Sequence, residues 1–160
     1  MTTDENFMRR CLELGRIALK NGDAPIGCLI VLDGKIIAEG IEAVRSKPDP
    51  SAHAEIEAVR AGCERLNTLD LSGATLYTNV EPGVMCSFAI RQTGIRRVVF
   101  GISNKQVGGM NSRFAVLTDE LFPARSPAPQ IQTGVLLEEG ENLAEEFQQF
   151  INRRLTNGKD

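Results

Sequence analysis

The chain has 160 residues, 42% of them hydrophobic and 24% charged, with a formal net charge of −3. That length predicts a single domain over 1–160, large enough to bury about 68–70% of its unfolded surface without disulfide staples. The longest strongly apolar run, 26–32, falls far short of the roughly 20 residues that span a bilayer. The opening MTTDENF carries no secretory pattern, so a cytoplasmic protein with no membrane partner is expected. The acidic balance argues against a surface built for many phosphate contacts, and nucleic acid is not expected as a partner.

In chain order, Thr2 and Glu5 match a capping box, and Phe7, Cys11, Leu14 and Ala18 recur at helical spacing. Asn21-Gly22 ends that helix. The apolar runs 26–32 and 35–41 flank Asp33-Gly34, a strong hairpin signal. A loop over 46–50 leads to a helix over 52–66, with Asp49 or Ser51 as its expected cap. Residues 74–80 read as a strand, 84–93 as a helix and 96–102 as a buried strand. Residues 103–129 read as an irregular segment with a short helix near 113–117. A strand over 131–137 and a helix over 141–155 complete the order, with Leu143, Phe147, Phe150 and Ile151 on one face of that helix. Phe147 and Phe150 are expected in the core. This order predicts an α/β protein, a three-layer α/β/α sandwich around a five-stranded mixed sheet that is mostly parallel beyond the opening hairpin.

The four cysteines, Cys11, Cys28, Cys63 and Cys86, form no CxxC pair, and the first three are expected to be small buried apolar residues. His53 is the single histidine, so no multi-histidine metal cage can form. Two segments combine chemistry-bearing residues with a loop-to-helix start: His53-Ala54-Glu55, and Glu81-Pro82-Gly83-Val84-Met85-Cys86.

On these two segments, the chain resembles the cytidine/deoxycytidylate deaminase-fold superfamily. It is closest to the nucleobase deaminase group of cytosine, guanine and tRNA adenosine deaminases, whose signature is H-x-E followed by P-C-x-x-C. The resemblance implies hydrolytic deamination of a small amino-substituted nitrogen heterocycle as substrate. It implies zinc as cofactor, with His53 and Cys86 as ligands and Glu55 as the catalytic proton shuttle. Glu42, Asn79 and Phe114 are the expected substrate-binding residues. The resemblance also implies a homodimer, with the C-terminal helix packed on or exchanged with a partner subunit. Three positions depart from the pattern. Gly83 stands where the first thiolate ligand belongs, Glu42 where an asparagine is usual, and Phe88 where a small residue is usual, so that Phe88 would crowd the pocket or thicken the core. Gly83 keeps two other readings open: a non-catalytic binding or subunit module that has lost zinc, and a metal-free hydrolase with Cys86 as nucleophile.

Overall fold

The computed structural model describes residues 2–157. Helix α1 (Thr3–Lys20) opens on the expected capping box, Thr2 accepting from Glu5 N while the Glu5 carboxylate accepts from Thr2 N. Its inward stripe of Met8, Cys11, Leu12, Leu14 and Ala18 is buried. Strands β1 (Gly27–Leu32) and β2 (Lys35–Ile41) form the hairpin. Asp33 and Gly34 both take positive φ, 50° and 74°, the backbone of a type I′ turn, which matches the twist of the flanking strands. Helix α2 (Ala54–Leu66), strand β3 (Thr75–Val80), helix α3 (Val84–Thr93) and strand β4 (Arg97–Ile102) follow. Strand β5 (Gln130–Gln132) and helix α4 (Leu137–Asn157) end the described chain.

The sheet is five-stranded and mixed, in the order β2-β1-β3-β4-β5. β1 runs antiparallel to both β2 and β3, whereas β3, β4 and β5 are mutually parallel. Cys28, Leu29 and Ile30 have no exposed surface, as a central strand covered on both faces requires. One core joins Cys28, Ile30, Leu76, Val98 and Phe100 to Ala54 and Ala58 of α2 and Ile90 of α3. The opposite face joins Leu29, Val31, Tyr77 and Val99 to Met8, Cys11 and Leu14 of α1, and α4 packs beside α1 and over β4. These are the three layers.

Several local expectations are corrected. The final strand is only three residues long, because the chain turns through positive φ at Gly134 and Leu136 and enters α4 at Leu137, earlier than 141. No helix forms near 113–117; those residues are in turns and irregular backbone. Phe147 and Phe150 are half-buried rather than core, their rings stacked 6.3 Å apart beneath Arg45 and Arg154. Cys63 is likewise only partly buried, while Cys11 and Cys28 are buried as expected.

The irregular segment is held by two buried charged side chains. Glu81 accepts from the backbone N–H groups of Asn104, Met110 and Asn111 and from Asn111 Nδ2, at 2.7–2.9 Å. Gly108 lies so close to that carboxylate that a side chain there would overlap it. Arg91 donates from Nη1 to the carbonyls of Val116, Leu117 and Asp119.

Candidate functional site

The site forms where β2 and β3 end and α2 and α3 begin. Gly40 of β2 sets the first contact: a Cβ there would overlap the Ala54 carbonyl, so its absence lets the first turn of α2 press onto the sheet. His53 is the N-cap of α2, with extended φ −75° and ψ 149° and no side-chain cap bond. The expected caps act elsewhere: the Asp49 carboxylate accepts from Ser51 N and Oγ in its own turn. The helix is capped instead from a distance, by Glu42 Oε2 accepting from Ala54 N at 3.1 Å. A partner twelve residues back escapes any local capping rule.

Cys86 is the third residue of α3, whose N-cap is Gly83. Ligand atoms of His53, Glu55 and Cys86 all lie within 4.8 Å of one another. Cys86 Sγ stands 3.5 Å from Glu55 Oε2, and Thr78 Oγ1, from β3, donates to Glu55 Oε1 at 3.4 Å. Glu55 is 3% exposed, whereas the His53 side chain is 39% exposed. The acid is therefore deep and the imidazole stands at the mouth. Both helix N-termini bring the positive end of a backbone dipole to this region.

Burial pushes the Glu55 carboxyl above the ordinary carboxylate range, and neighbouring Glu42 adds to the rise. Glu42 itself is pushed up to about 7, mainly by burial and further by the Asp23 carboxylate. Its Oε1 lies 4.0 Å from His53 Nδ1. The Cys86 thiol is pushed far up, first by burial and then by Glu55.

One imidazole nitrogen, one sulfur and one carboxylate within a few ångströms fit zinc, which takes all three donor types. The side chain missing at Gly83 is not excluded by packing. A Cβ there would meet only the Val107 carbonyl, at 3.5 Å, and φ is an ordinary −73°.

Of the remaining expected residues, Asn79 is buried, but its amide is spent on backbone: Oδ1 accepts from Gly27 N and Nδ2 donates to Pro25 O, both at 2.8 Å. It fixes the 25–27 turn and, with Ala24, Ile26 and Phe147, lines an apolar cavity of about 180 Å³. Phe114 is 42% exposed, with the Arg113 guanidinium 4.7 Å from its ring centre. Phe88 does not thicken the core. It is half exposed and meets Phe122 edge-on. Thr78 was not anticipated, since a lone threonine in a strand reads as packing. Asp23 was missed too: fully buried, it accepts from Arg45 N and Ser46 N and so shapes the loop after Glu42.

Residues 1–102 match the family model described as the cytidine and deoxycytidylate deaminase zinc-binding region. A tRNA-specific adenosine deaminase of Haemophilus influenzae is 38% identical over 147 residues, covering 91% of this chain and 83% of the relative. One of Aquifex aeolicus is 35% identical over 148 residues, covering 92% and 96%. A solved structure from work on A-to-I editing by tRNA:A34 deaminases at the wobble position superposes with a TM-score of 0.80. It is 33% identical, and the match covers 86% of this chain and 98% of that one. These relatives overturn the expectation that nucleic acid is not a partner. A net charge of −3 is a sum over the whole surface and does not describe one face. No helix among the described residues is long and apolar enough to cross a membrane.

Proposed function

Because this chain belongs to the cytidine and deoxycytidylate deaminase family, whose zinc-binding region it matches over residues 1–102, we propose that it hydrolyses the exocyclic amino group of an adenine base carried by RNA. The observation that carries the reading is the meeting of His53, Glu55 and Cys86 within 4.8 Å at two helix starts. The tRNA-specific relatives supply the substrate class.

A zinc ion held by His53 and Cys86 would, when bound, acidify a water toward a pKa of about 7. The rest falls to the chain's own groups. Glu55 takes a proton from the attacking water and passes it to the ring nitrogen beside the carbon under attack. It then delivers a second proton to the departing amino group. The carbon–nitrogen bond breaks, a carbonyl forms, and ammonia leaves. Burial suits Glu55 to this work, since a carboxyl whose pKa is raised toward neutrality both accepts and donates readily. A surface that includes Arg45, three residues after Glu42, supports an RNA substrate. Phe147 and Phe150 are stacked, and the guanidinium groups of Arg45 and Arg154 lie 5.5 and 5.0 Å from their ring centres. Flat cationic and aromatic groups of this kind stack on bases next to a target nucleotide.

Of the other readings, a metal-free nucleophilic Cys86 has less support, because burial and Glu55 push its thiol up rather than down, whereas reactive cysteines are pushed down. Gly83 favours a non-catalytic, RNA-binding module as the second reading.

The test is to incubate the zinc-supplemented protein with a tRNA anticodon stem-loop bearing adenosine and to count inosine. Wild type is expected to form inosine. Glu55→Gln is expected to lose at least about a hundredfold in rate while melting as wild type does. RNA binding without inosine from wild type would establish the non-catalytic module instead.

A further inference from the structure

We propose that Glu42 supplies the protein ligand that Gly83 cannot, so that zinc is held by His53, Cys86 and one Glu42 carboxylate oxygen. The inference deepens the proposed function by assigning the coordination of that same site. Glu42 is 5% exposed, and one of its oxygens, Oε2, is committed to Ala54 N. The other, Oε1, has no hydrogen-bond donor among the described residues and faces His53 Nδ1 at 4.0 Å. Two ligand atoms on one tetrahedral zinc lie about 3.4 Å apart, so this pair closes with a small turn of the glutamate. The Glu42 oxygens stand outside the three-atom group of His53, Glu55 and Cys86, so the proposal requires Oε1 to move onto the ion beside His53.

Charge and occupancy select Glu42 over Glu55. Two thiolates and an imidazole neutralise a divalent zinc, and glycine at 83 removes one negative charge. A buried carboxylate with no Lys or Arg partner among the described residues restores it. Glu55 is already engaged by Thr78 Oγ1 on one oxygen and by Cys86 Sγ on the other. Asp23, with its buried Oδ2 unpaired, deepens the negative potential around Glu42. Such a buried acidic pair is relieved by a cation.

The test measures zinc affinity, by competition with a chromophoric chelator, for wild type, E42Q, E55Q, G83C and the E42Q/G83C double variant. Glutamine keeps a carbonyl for Ala54 N, so the helix cap survives, and circular dichroism of each metal-free variant checks the fold. Wild type is expected to bind one zinc per chain, and E42Q to bind about a hundredfold more weakly or worse. E55Q should stay within about tenfold of wild type. In the G83C background, where a second thiolate is present, E42Q should cost less than about tenfold. Cobalt(II) loading should give a thiolate charge-transfer band about twice as intense in G83C as in wild type. Unchanged affinity in E42Q, a loss confined to E55Q, an equal loss in both backgrounds, or no zinc on wild type would each overturn the assignment. Inosine formation is scored separately: a wild type that edits RNA with E42Q still binding zinc sinks only the ligand assignment. Zinc lost on E42Q with no editing by wild type sinks only the deaminase reading.

Discussion

At residue scale, the site separates what a side chain is from what it touches. His53, Glu55 and Cys86 could be singled out from two short motifs, because those motifs fix chemistry by spacing along a helix start, and the structure brings their ligand atoms together. Asn79 and Phe114 could not be judged in this way. Whether an asparagine faces a ligand or a turn depends on a contact more than fifty residues away, here with Pro25 and Gly27. Gly83 is the instructive position, since it looks like a backbone requirement and is not one. With φ at −73° and open space toward Val107, Gly83→Cys should change the stability of the metal-free protein by no more than about 0.5 kcal/mol. Chemical denaturation in the presence of chelator measures this. A loss of several kcal/mol would mean that the first turn of α3 is packed more tightly than the structure allows.

At the scale of elements, helix boundaries followed from caps and glycines wherever the cap was local, as at Thr2 and Glu5. They were misplaced where it was not, as at α2, capped by Glu42. The 103–129 segment is irregular as expected, but its supposed helix near 113–117 failed for a related reason. Its order comes from Glu81 and Arg91, buried charged side chains on neighbouring elements that sequence patterning assigns to solvent. The docking of α1 onto the sheet is a third long-range device. Asp4 accepts from Tyr77 Oη at 2.8 Å and from Arg97 Nη2 at 2.7 Å.

Arg97 holds Asp4 below its ordinary value near 3.8, so this contribution to stability is present above that value and is lost as acid protonates the folded carboxyl. Tyr77 is pushed up to about 12, by burial and then by Asp4. Its contribution is present below pH 10 and is lost as the pH rises through 12. Asp4→Asn should therefore cost about 1–3 kcal/mol at neutral pH, with the difference from wild type shrinking as the pH falls below 3.8 and through the lowered value of the folded carboxyl. Urea midpoints across the pH range test this, and a difference that stays constant into acid would show that the pair does not act through charge.

For the whole molecule, the three layers and the mixed sheet were legible because alternating strand and helix periods admit few packings. The proposed RNA partner was not. Composition averages over faces, and the surface proposed to meet it, Arg45, Phe147, Phe150 and Arg154, is assembled from a loop and a helix about a hundred residues apart. The account as a whole stands on two helix starts sharing one metal ion. Anomalous diffraction at the zinc absorption edge, from crystals grown with zinc, tests that most directly. One strong peak about 2.0–2.1 Å from a nitrogen of His53 and about 2.3 Å from Cys86 Sγ is predicted. A peak elsewhere, or none between those two side chains, would contradict it.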